Sequence, residues 1–375
     1  MRNLVTTTCS IRSHRASGLI GLIALAIAAC DSAAAVRPPT IATIAATAWP
    51  EAAELFHRDP RWLGADAAYS VPLGGDRLLW LFGDTFIATS AANVRAESVM
   101  VRNTVAVQTG TDPTSAAITF HWGQTPAGPK SFLPEEGGHW YWPEHGLLVD
   151  GRLVVFFARI KATPGQGLGF AADGWRAVGI DNPDADPSRW SPQFFGELAM
   201  PPGLNLATAL VRRGDQVFGL AVREPGDHAG FLARWQAADL AAGRLDAIAW
   251  WDGSSYAAGA TPVVVLTDAG PECSLHFDER LGRFVFVRSE GFGKTTVIMR
   301  FAERIEGPWS APRVVFRPPE DDRENAFVYA AKAHPFLSGA DLVATYATNT
   351  FAGLPTLLND TAIYYPRFVK LTITP

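Results

Sequence analysis

The segment Arg77–Asp84 reads RLLWLFGD, an apolar run with a polar residue at each end. The same pattern returns in 152–159 (RLVVFFAR), 216–223 (QVFGLAVR), 283–290 (RFVFVRSE) and 341–348 (DLVATYAT). Each segment follows a turn with Gly or Ser and, before that turn, another short apolar run, which predicts a hairpin. The segments start 75, 64, 67 and 58 residues apart, so the chain is predicted to contain five repeats of one unit.

The rest of the body also has the pattern of an all-β fold. Short β-branched and aromatic runs alternate with Gly, Pro, Asn and Asp turns, and no long helical period is present. At roughly four strands per repeat, the five repeats favour a five-bladed β-propeller over residues 49–375, with a β-sandwich as the alternative. A propeller must pair its two open edges, so residues 41–48 or 364–372 are expected to complete a blade with the other chain end.

Composition and charge limit the kinds of molecule that the protein is expected to bind. The chain is 48% hydrophobic and 18% charged, which excludes a disordered or fibrous protein. Its net charge is −5, with 32 basic and 37 acidic residues, so no basic field is available for a phosphate backbone. Nucleic acid is therefore not an expected partner, whereas a neutral, polar substrate such as a sugar is compatible.

The amino-terminal segment is typical of bacterial export. Residues 1–29 contain no Asp or Glu and end in an apolar stretch that is too short to span a bilayer, which predicts a signal peptide. The sequence IAAC at 27–30 resembles a lipobox, in which Cys30 is lipidated and becomes the mature amino terminus; ordinary cleavage at the Ala-rich site is the alternative. Residues 30–48 are predicted to be a tether. The expected location is the bacterial cell envelope, in the periplasm or at the cell surface, with the lipid as the membrane contact.

The cysteines limit covalent and metal chemistry. With Cys30 lipidated and Cys9 removed, Cys273 is left as the single thiol, which excludes an intramolecular disulfide and a multi-cysteine zinc site. No cofactor is predicted, although the sequence leaves open a structural cation in the central channel. The working expectation is a monomer.

Carboxylates open three of the five predicted first strands, at Asp66, Glu144 and Glu272. The first strand of a propeller blade lies nearest the axis, so these side chains are expected at the central channel. Asp84 ends the second strand of the first repeat, where Gly83 would let the backbone approach another group closely. We predict Asp66, Asp84 and Glu272 as the catalytic residues.

Carboxylates that converge on one cavity repel one another. The pKa values of some are then raised while others stay ionised, which is the division that glycosidic cleavage needs between an acid and a base or nucleophile. For any one of them, capping of turn amides is the alternative. The sequence leaves open which carboxylate is the acid. In the fifth repeat the corresponding position is Tyr329 or Lys332.

Aromatic and basic side chains flank these positions. Sugars stack on aromatic rings, and a Gly-bounded aromatic cluster at 139–143 directly precedes Glu144. Arg159 and Arg223, at the ends of second strands, are predicted either to pair with the central carboxylates, which we favour, or to bind substrate oxygens. The predicted substrate-binding residues are Trp140, Tyr141, Trp142, Glu144, His145, Arg159, Arg223 and His276.

Four segments carry a resemblance to a known family: DAAYSVPLGGDRLLWLFGDTF (66–86), YWPE (141–144), PECSLHF (271–277) and IEGPWS (305–310). Over residues 60–370 the chain resembles the bacterial domain of unknown function 4185, related to glycoside hydrolase family 183. The resemblance implies a five-bladed propeller similar to glycoside hydrolase families 43 and 32, and an activity like that of endo-acting D-arabinanases. It places Asp66 and Asp84 on the acidic pair of the first blade and Glu272 on the acid of the fourth.

The resulting expectation is an exported glycoside hydrolase that acts on a polysaccharide or oligosaccharide with furanoside units, of the arabinan type. One alternative is a glycoside phosphorylase, for which Arg159, Arg223 and Lys332 could bind phosphate. The other is a surface lipoprotein that binds sugar without cleaving it.

Overall fold

All five predicted hairpins are present in the computed structural model, which describes residues 41, 43–165, 169–198, 200–201, 203–291 and 294–374. In each hairpin the repeated segment is the second strand and pairs antiparallel with the strand before it. The predicted signal peptide and Cys30 lie outside the described residues.

The described strands form five main sheets of four or five strands and two smaller sheets. The first part of the chain contains β1 (Thr43–Ala48), β2 (Trp62–Ala65), β3 (Tyr69–Gly74), β4 (Arg77–Phe82), β5 (Thr85–Ala88), β6 (Ser98–Val101), β7 (Thr104–Thr109), β8 (Ala117–His121), β9 (Gly123–Thr125) and β10 (Gly128–Lys130). The first main sheet has the order β3-β4-β7-β8, and the smaller sheets are β2-β5-β6 and β9-β10.

The second main sheet consists, in chain order, of β11 (His139–Val149), β12 (Arg152–Ala162), β13 (Phe170–Ile180) and β14 (Gln193–Phe194). The third consists of β15 (Leu204–Arg213), β16 (Gln216–Arg223), β17 (Gly230–Gln236), β18 (Ala249–Trp251) and β19 (Tyr256–Ala257). The fourth consists of β20 (Cys273–Asp278), β21 (Arg283–Glu290), β22 (Thr296–Ala302) and β23 (Arg313–Phe316). The fifth contains β24 (Ala326–His334), β25 (Leu342–Thr350) and β26 (Arg367–Thr374), with β1 beside β26.

Helices are short and lie between strands. The α-helices are α1 (Pro50–Ala53), α2 (Ala237–Ala241) and α3 (Leu354–Asn359), and the 3₁₀-helices are Glu54–His57, Arg95–Glu97, Pro187–Arg189, Leu245–Ala247 and Pro319–Asp322. Within the described part of the chain, no helix is long and apolar enough to cross a membrane.

The first strands of the five main sheets make contact in a closed order. β3 contacts β11, β11 contacts β15, β15 contacts β20, β20 contacts β24, and β24 returns to β3. Five twisted sheets arranged radially around a channel in this way have the β-propeller-like architecture that the repeats predicted. Residues at the starts of first strands lie at one end of this channel, and the hairpin turns lie at the other.

The two chain ends close the ring, as predicted. β1 pairs antiparallel with β26, with Thr43 opposite Thr374 and Ala48 opposite Val369. Ile44 and Ala46 are partly buried against the core of the fourth and fifth sheets, which explains why this segment folds as a strand. The folded domain therefore includes residues 43–48, which were predicted to belong to the tether.

An aromatic core joins the first and fifth sheets. Phe56 lies with its ring centroid 5.1 Å from that of Trp80 in β4 and 5.2 Å from that of Phe368 in β26. All three side chains are buried. Burial of this much aromatic surface fixes the relative position of the two sheets, and thereby of the channel residues that they carry.

Candidate active site

The three carboxyl groups predicted as catalytic lie together at one end of the channel. The pKa of Asp66 is raised to about 8, first by burial and then by the negative charges of Asp84 and Glu272. The contacts agree: the N–H of Gly83, directly before Asp84, donates a hydrogen bond of 3.2 Å to the Asp66 carbonyl, and Lys332 Nζ lies 2.8 Å from both the Ala67 carbonyl and Glu272 Oε1, so the fold brings Asp84 and Glu272 close to Asp66. We call this the carboxylate end of the channel.

Asp66 is bound by two tyrosines and approached by a glycine. Its Oδ2 accepts hydrogen bonds from the hydroxyl groups of Tyr329 at 2.7 Å and Tyr364 at 3.3 Å. On the other side, a Cβ atom added to Gly83 would overlap Asp66 Oδ1. The close approach that the sequence predicted at Gly83 is thus confirmed, and the approaching group is the Asp66 carboxyl.

Asp84 has a different set of partners. Its carboxyl group accepts a hydrogen bond from Trp142 Nε1 at 2.8 Å and forms an ion pair with Arg102 at 3.2 Å. Burial raises the pKa of Asp84, and Arg102 opposes that rise. The guanidinium of Arg102 also lies over the ring of Trp140, 4.6 Å from its centroid. Trp140 and Trp142 are therefore at the carboxylate end, as predicted.

Glu272 is paired with a buried lysine. Lys332 Nζ donates hydrogen bonds to Glu272 Oε1 at 2.8 Å, to the Ala67 carbonyl at 2.8 Å and to the Ala330 carbonyl at 3.1 Å. It also lies 4.3 Å from the ring centroid of Tyr69. The Lys332 side chain is only 1% exposed, so its charge depends on these partners for compensation.

Glu144 is buried in the channel and is not open to a substrate. It is buried, and its Oε2 accepts a hydrogen bond of 3.2 Å from the hydroxyl of Tyr69. Burial, followed by the charge of Glu272, raises the pKa of Glu144 well above its ordinary value. The predicted substrate contact of Glu144 is therefore corrected to a structural hydrogen bond in the channel.

Tyr141 is also a correction. It lies in β11 between Trp140 and Trp142, and successive residues of a strand face opposite sides. Its side chain is 1% exposed and packs in the core between the first and second sheets. Tyr141 therefore contributes packing, and only its two neighbours remain available to a substrate.

His145 and His276 line a cavity of about 530 Å³ at the opposite end of the channel. His145 Nδ1 accepts a hydrogen bond from the Leu210 N–H at 2.9 Å, and its Nε2 lies 3.4 Å from the Ser70 carbonyl. Burial lowers the pKa of both imidazoles to about 4. Asp66, Asp84 and Glu272 do not line this cavity, so the predicted position of the two histidines beside the catalytic residues is corrected.

Arg159 and Arg223 do not pair with the central carboxylates, contrary to the favoured prediction. Arg159 Nε donates to Asp173 at 3.0 Å, and Arg223 pairs with Asp227 at 2.9 Å. Both arginines belong to second strands, one step away from the axis, where carboxylates of neighbouring segments are nearer. With Lys332 bound to Glu272, all three side chains considered for phosphate binding already have carboxylate partners.

The positions of the metal-ligating and thiol side chains are as follows. Across the residues that the structure describes, no group of three or more His, Cys, Asp or Glu side chains could hold a metal ion. Two cationic side chains lie beside the channel carboxylates: the Lys332 ammonium pairs with Glu272, and the Arg102 guanidinium pairs with Asp84. Cys273 is buried, and burial raises the pKa of its thiol to about 12, which makes it a poor nucleophile.

Three alanines shape the starts of the first strands. Ala67, Ala207 and Ala330 have positive φ angles of 65°, 65° and 60°, and the last two lie where the strand register is interrupted. Such bulges change the direction of neighbouring side chains. In the sequence an alanine pair directly follows both Asp66 and Tyr329, which supports Tyr329, one of the two positions predicted for the fifth repeat, as the equivalent of Asp66. Tyr364 and Arg102 carry no comparable signal.

The fold and the site together define a β-propeller-like protein with a cluster of carboxyl groups at one end of its channel. Residues 51–372 match the family model of a domain of unknown function, DUF5005, so the chain belongs to this family. The matching family is thus DUF5005, and the name 4185 suggested by the motifs is not the one found. A search of curated proteins gave no match.

Solved structures resemble the chain at low sequence identity. A candidate hydrolase from Bacteroides ovatus is 15% identical, with a TM-score of 0.69 over 88% of this chain and 90% of that chain. A GH62 α-L-arabinofuranosidase from Coprinopsis cinerea is 9% identical, with a TM-score of 0.46 over 85% of this chain and 93% of that chain. An exo-β-1,3-galactanase from Phanerochaete chrysosporium is 12% identical, with a TM-score of 0.47 over 83% of this chain and 63% of that chain. The first similarity shows that the fold is shared.

Proposed function

We propose that this protein is a glycoside hydrolase whose five main sheets are the blades of a five-bladed propeller, and that it cleaves a furanoside-containing glycan of the arabinan type. The observation that carries the proposal is the convergence of Asp66, Asp84 and Glu272 at one end of the channel with different partners. Different environments give carboxyl groups different pKa values, so that one can act as an acid while another acts as a base. Glycosidic cleavage needs both.

Asp66 is the proposed acid. With a pKa of about 8 it keeps its proton at neutral pH, and burial is the main cause. Glu272, paired with the Lys332 ammonium, is the proposed base. As the bond from the anomeric carbon to the glycosidic oxygen breaks, the Asp66 proton moves to that oxygen. A water oxygen then bonds to the anomeric carbon, and its proton moves to Glu272.

Asp84 and the two tryptophans are proposed to position the sugar. The negative charge of Asp84 contributes to the raised pKa of Asp66, and its carboxyl holds the indole of Trp142 in place. The Trp142 ring packs edge-on against Phe170 at 4.7 Å between centroids. A ring fixed from two sides offers an apolar face to a sugar at little entropic cost.

The phosphorylase alternative is disfavoured because Arg159, Arg223 and Lys332 are already paired with carboxylates. An experiment distinguishes a hydrolase from a protein that binds sugar without cleaving it. Linear arabinan, arabinoxylan and arabinogalactan are incubated with the purified protein, with and without inorganic phosphate, and new reducing ends are measured. Cleavage independent of phosphate is expected; binding without cleavage would favour the non-catalytic protein.

The matched variants are Asp66→Asn and Glu272→Gln, with Asp184→Asn as the control. Asp184 is a carboxylate that is 90% exposed and pairs with Arg77, away from the channel. Loss of the acid or the base is expected to reduce turnover at least about a hundredfold. Near-normal rates in both channel variants would refute the assignment of these residues.

The proposal also places the protein in the bacterial cell envelope, anchored by a lipid on Cys30. Its support is the uncharged apolar stretch followed by IAAC at 27–30. Cys30→Ser is expected to abolish labelling by a radioactive fatty acid and to release the protein from the membrane fraction. Unchanged partitioning into that fraction would contradict the anchor.

A further inference from the structure

Three contacting aromatic rings form a row that begins next to Asp66. Tyr329 donates its hydroxyl hydrogen to Asp66, and its ring centroid lies 5.4 Å from that of Phe327. The Phe327 ring in turn lies 4.4 Å from the ring of Phe351, with an interplanar angle of 30°. The three rings therefore form a continuous row whose inner end contacts the proposed acid.

The outer two rings are held by a paired hairpin. Phe327 belongs to β24 and lies opposite Asn349 in β25. Beyond the end of β25, the Phe351 N–H donates a hydrogen bond of 2.7 Å to the Asn325 carbonyl. Paired backbone on both sides restricts the rings, so a ligand that stacks on them loses little conformational freedom of the protein.

The Phe351 ring is partly exposed to solvent. Phe351 is 54% exposed, although it is a large apolar side chain. A single exposed phenylalanine is common on protein surfaces, but here the contacting rings of Phe327 and Tyr329 continue the apolar surface from Phe351 to Asp66. On the other side of the carboxylates, Trp142 and Phe170 form a comparable pair.

We propose that Phe327 and Phe351 form a distal sugar-binding platform for a glycan chain whose scissile bond lies at Asp66. The inference rests on the proposed function and extends it to the class of substrate. Two further rings follow Tyr329 in the row, so a ligand that contacts both Asp66 and Phe351 must extend over more than one sugar unit. The preferred substrate is therefore a chain of several sugars that crosses the carboxylate end, and not a terminal sugar with a small leaving group.

The test compares a long and a short substrate in the full-length protein. For Phe351→Ala, kcat/KM on the cleaved polysaccharide is expected to fall about threefold to tenfold, mainly through KM, because one stacking contact is lost. On p-nitrophenyl α-L-arabinofuranoside the same variant is expected to keep the wild-type kcat/KM, because this substrate is too short to reach the platform.

Phe336→Ala is the matched control. Phe336 is 52% exposed, nearly as much as Phe351, but it borders the cavity at the opposite end of the channel. This variant is expected to keep wild-type kinetics on both substrates. Phe327→Leu, which keeps an apolar side chain at the half-buried position, is expected to behave like Phe351→Ala on the polysaccharide. An equal loss on both substrates, or no loss on the polysaccharide, would overturn the platform.

A binding measurement separates failure of this inference from failure of the hydrolase. Electrophoresis in gels containing linear arabinan, arabinoxylan or arabinogalactan is carried out on Asp66→Asn, with and without Phe351→Ala. If Phe351→Ala weakens the retardation, the result supports the platform even when no glycan is cleaved. Retardation unchanged by Phe351→Ala, or no retardation in any gel, overturns it.

Discussion

The hydroxyl group of Tyr329 donates a hydrogen bond of 2.7 Å to the carboxyl group of Asp66, and this bond joins the fifth main sheet to the first. Burial and the neighbouring charge of Asp66 raise the pKa of Tyr329 well above its ordinary value, so the tyrosine remains a donor at every pH at which the protein would act. The bond lowers the pKa of Asp66, but burial and two negative charges outweigh it.

The raised pKa of Asp66 has a consequence for stability. In the unfolded chain this carboxyl titrates near 3.8, whereas in the folded protein its pKa is about 8. Between these values the folded state binds more protons, so its stability is expected to fall as pH rises from about 4 to about 8. Asp66→Asn removes this loss. Denaturant unfolding of both proteins across that range is the measurement, and parallel pH profiles would contradict the raised pKa.

Asp84→Asn is expected to move the alkaline limb of activity to lower pH. The negative charge of Asp84 raises the pKa of Asp66, so neutralising it lets Asp66 lose its proton earlier. The measurement is kcat/KM against pH on a verified substrate, with Asp184→Asn as the control. If the limb stays at the wild-type pH, Asp84 does not act on the titrating acid.

Gly83→Ala should displace the Asp66 carboxyl, because the added Cβ would occupy the space of Oδ1. We expect at least about a tenfold loss of kcat/KM, since small displacements of a catalytic group are costly. Gly196→Ala is the matched control: no atom lies within 4 Å of its added Cβ. Wild-type activity in Gly83→Ala would mean that the close approach has no catalytic importance.

Glu272→Gln is expected to lower stability as well as activity. It removes the counter-charge of Lys332, whose side chain is 1% exposed. Breaking a buried ion pair from one side typically costs about 3–5 kcal/mol, and the partial exposure of Glu272 should reduce this. Adding Lys332→Met to Glu272→Gln should restore part of the loss, which thermal melting of the three proteins would reveal. A double variant no more stable than Glu272→Gln would argue against an uncompensated charge.

Removal of residues 367–375 is expected to unfold or aggregate the domain. The deletion takes away β26, which pairs with both β1 and β25, and leaves two unpaired strand edges. Of the described residues, removal of residues 1–48 takes away Ile41 and the edge strand β1, and it should cost less. An unchanged melting temperature after the carboxyl-terminal deletion would show that β26 is dispensable.

The hairpins and the three carboxyl groups were predictable because they follow a local pattern. Apolar runs after turns located the second strands, and Asp66 and Glu272 occupy the same place before two of them. Tyr141 was placed wrongly although the period of two along a strand separates it from Trp140 and Trp142. The prediction treated three consecutive residues of one strand as if their side chains were on the same face of the sheet.

The contact of Tyr364 with Asp66 could not be predicted from the sequence, for a different reason. Its position follows from Arg95, a buried side chain that donates hydrogen bonds to backbone carbonyls of Leu63, Leu357, Asp360 and Ile363. Those carbonyls belong to segments far apart in the chain, and a backbone carbonyl leaves no trace in the sequence. The contact with Asp66 therefore depends on long-range packing that no local pattern encodes.

The register of β1 against β26 also fixes where the chain enters the domain. Thr43 lies opposite Thr374, near Leu342, at the end of the channel that carries the hairpin turns. The carboxyl groups are at the other end. Coupling of the domain to a chromatography resin at position 43 would therefore leave the carboxylate end facing the solution.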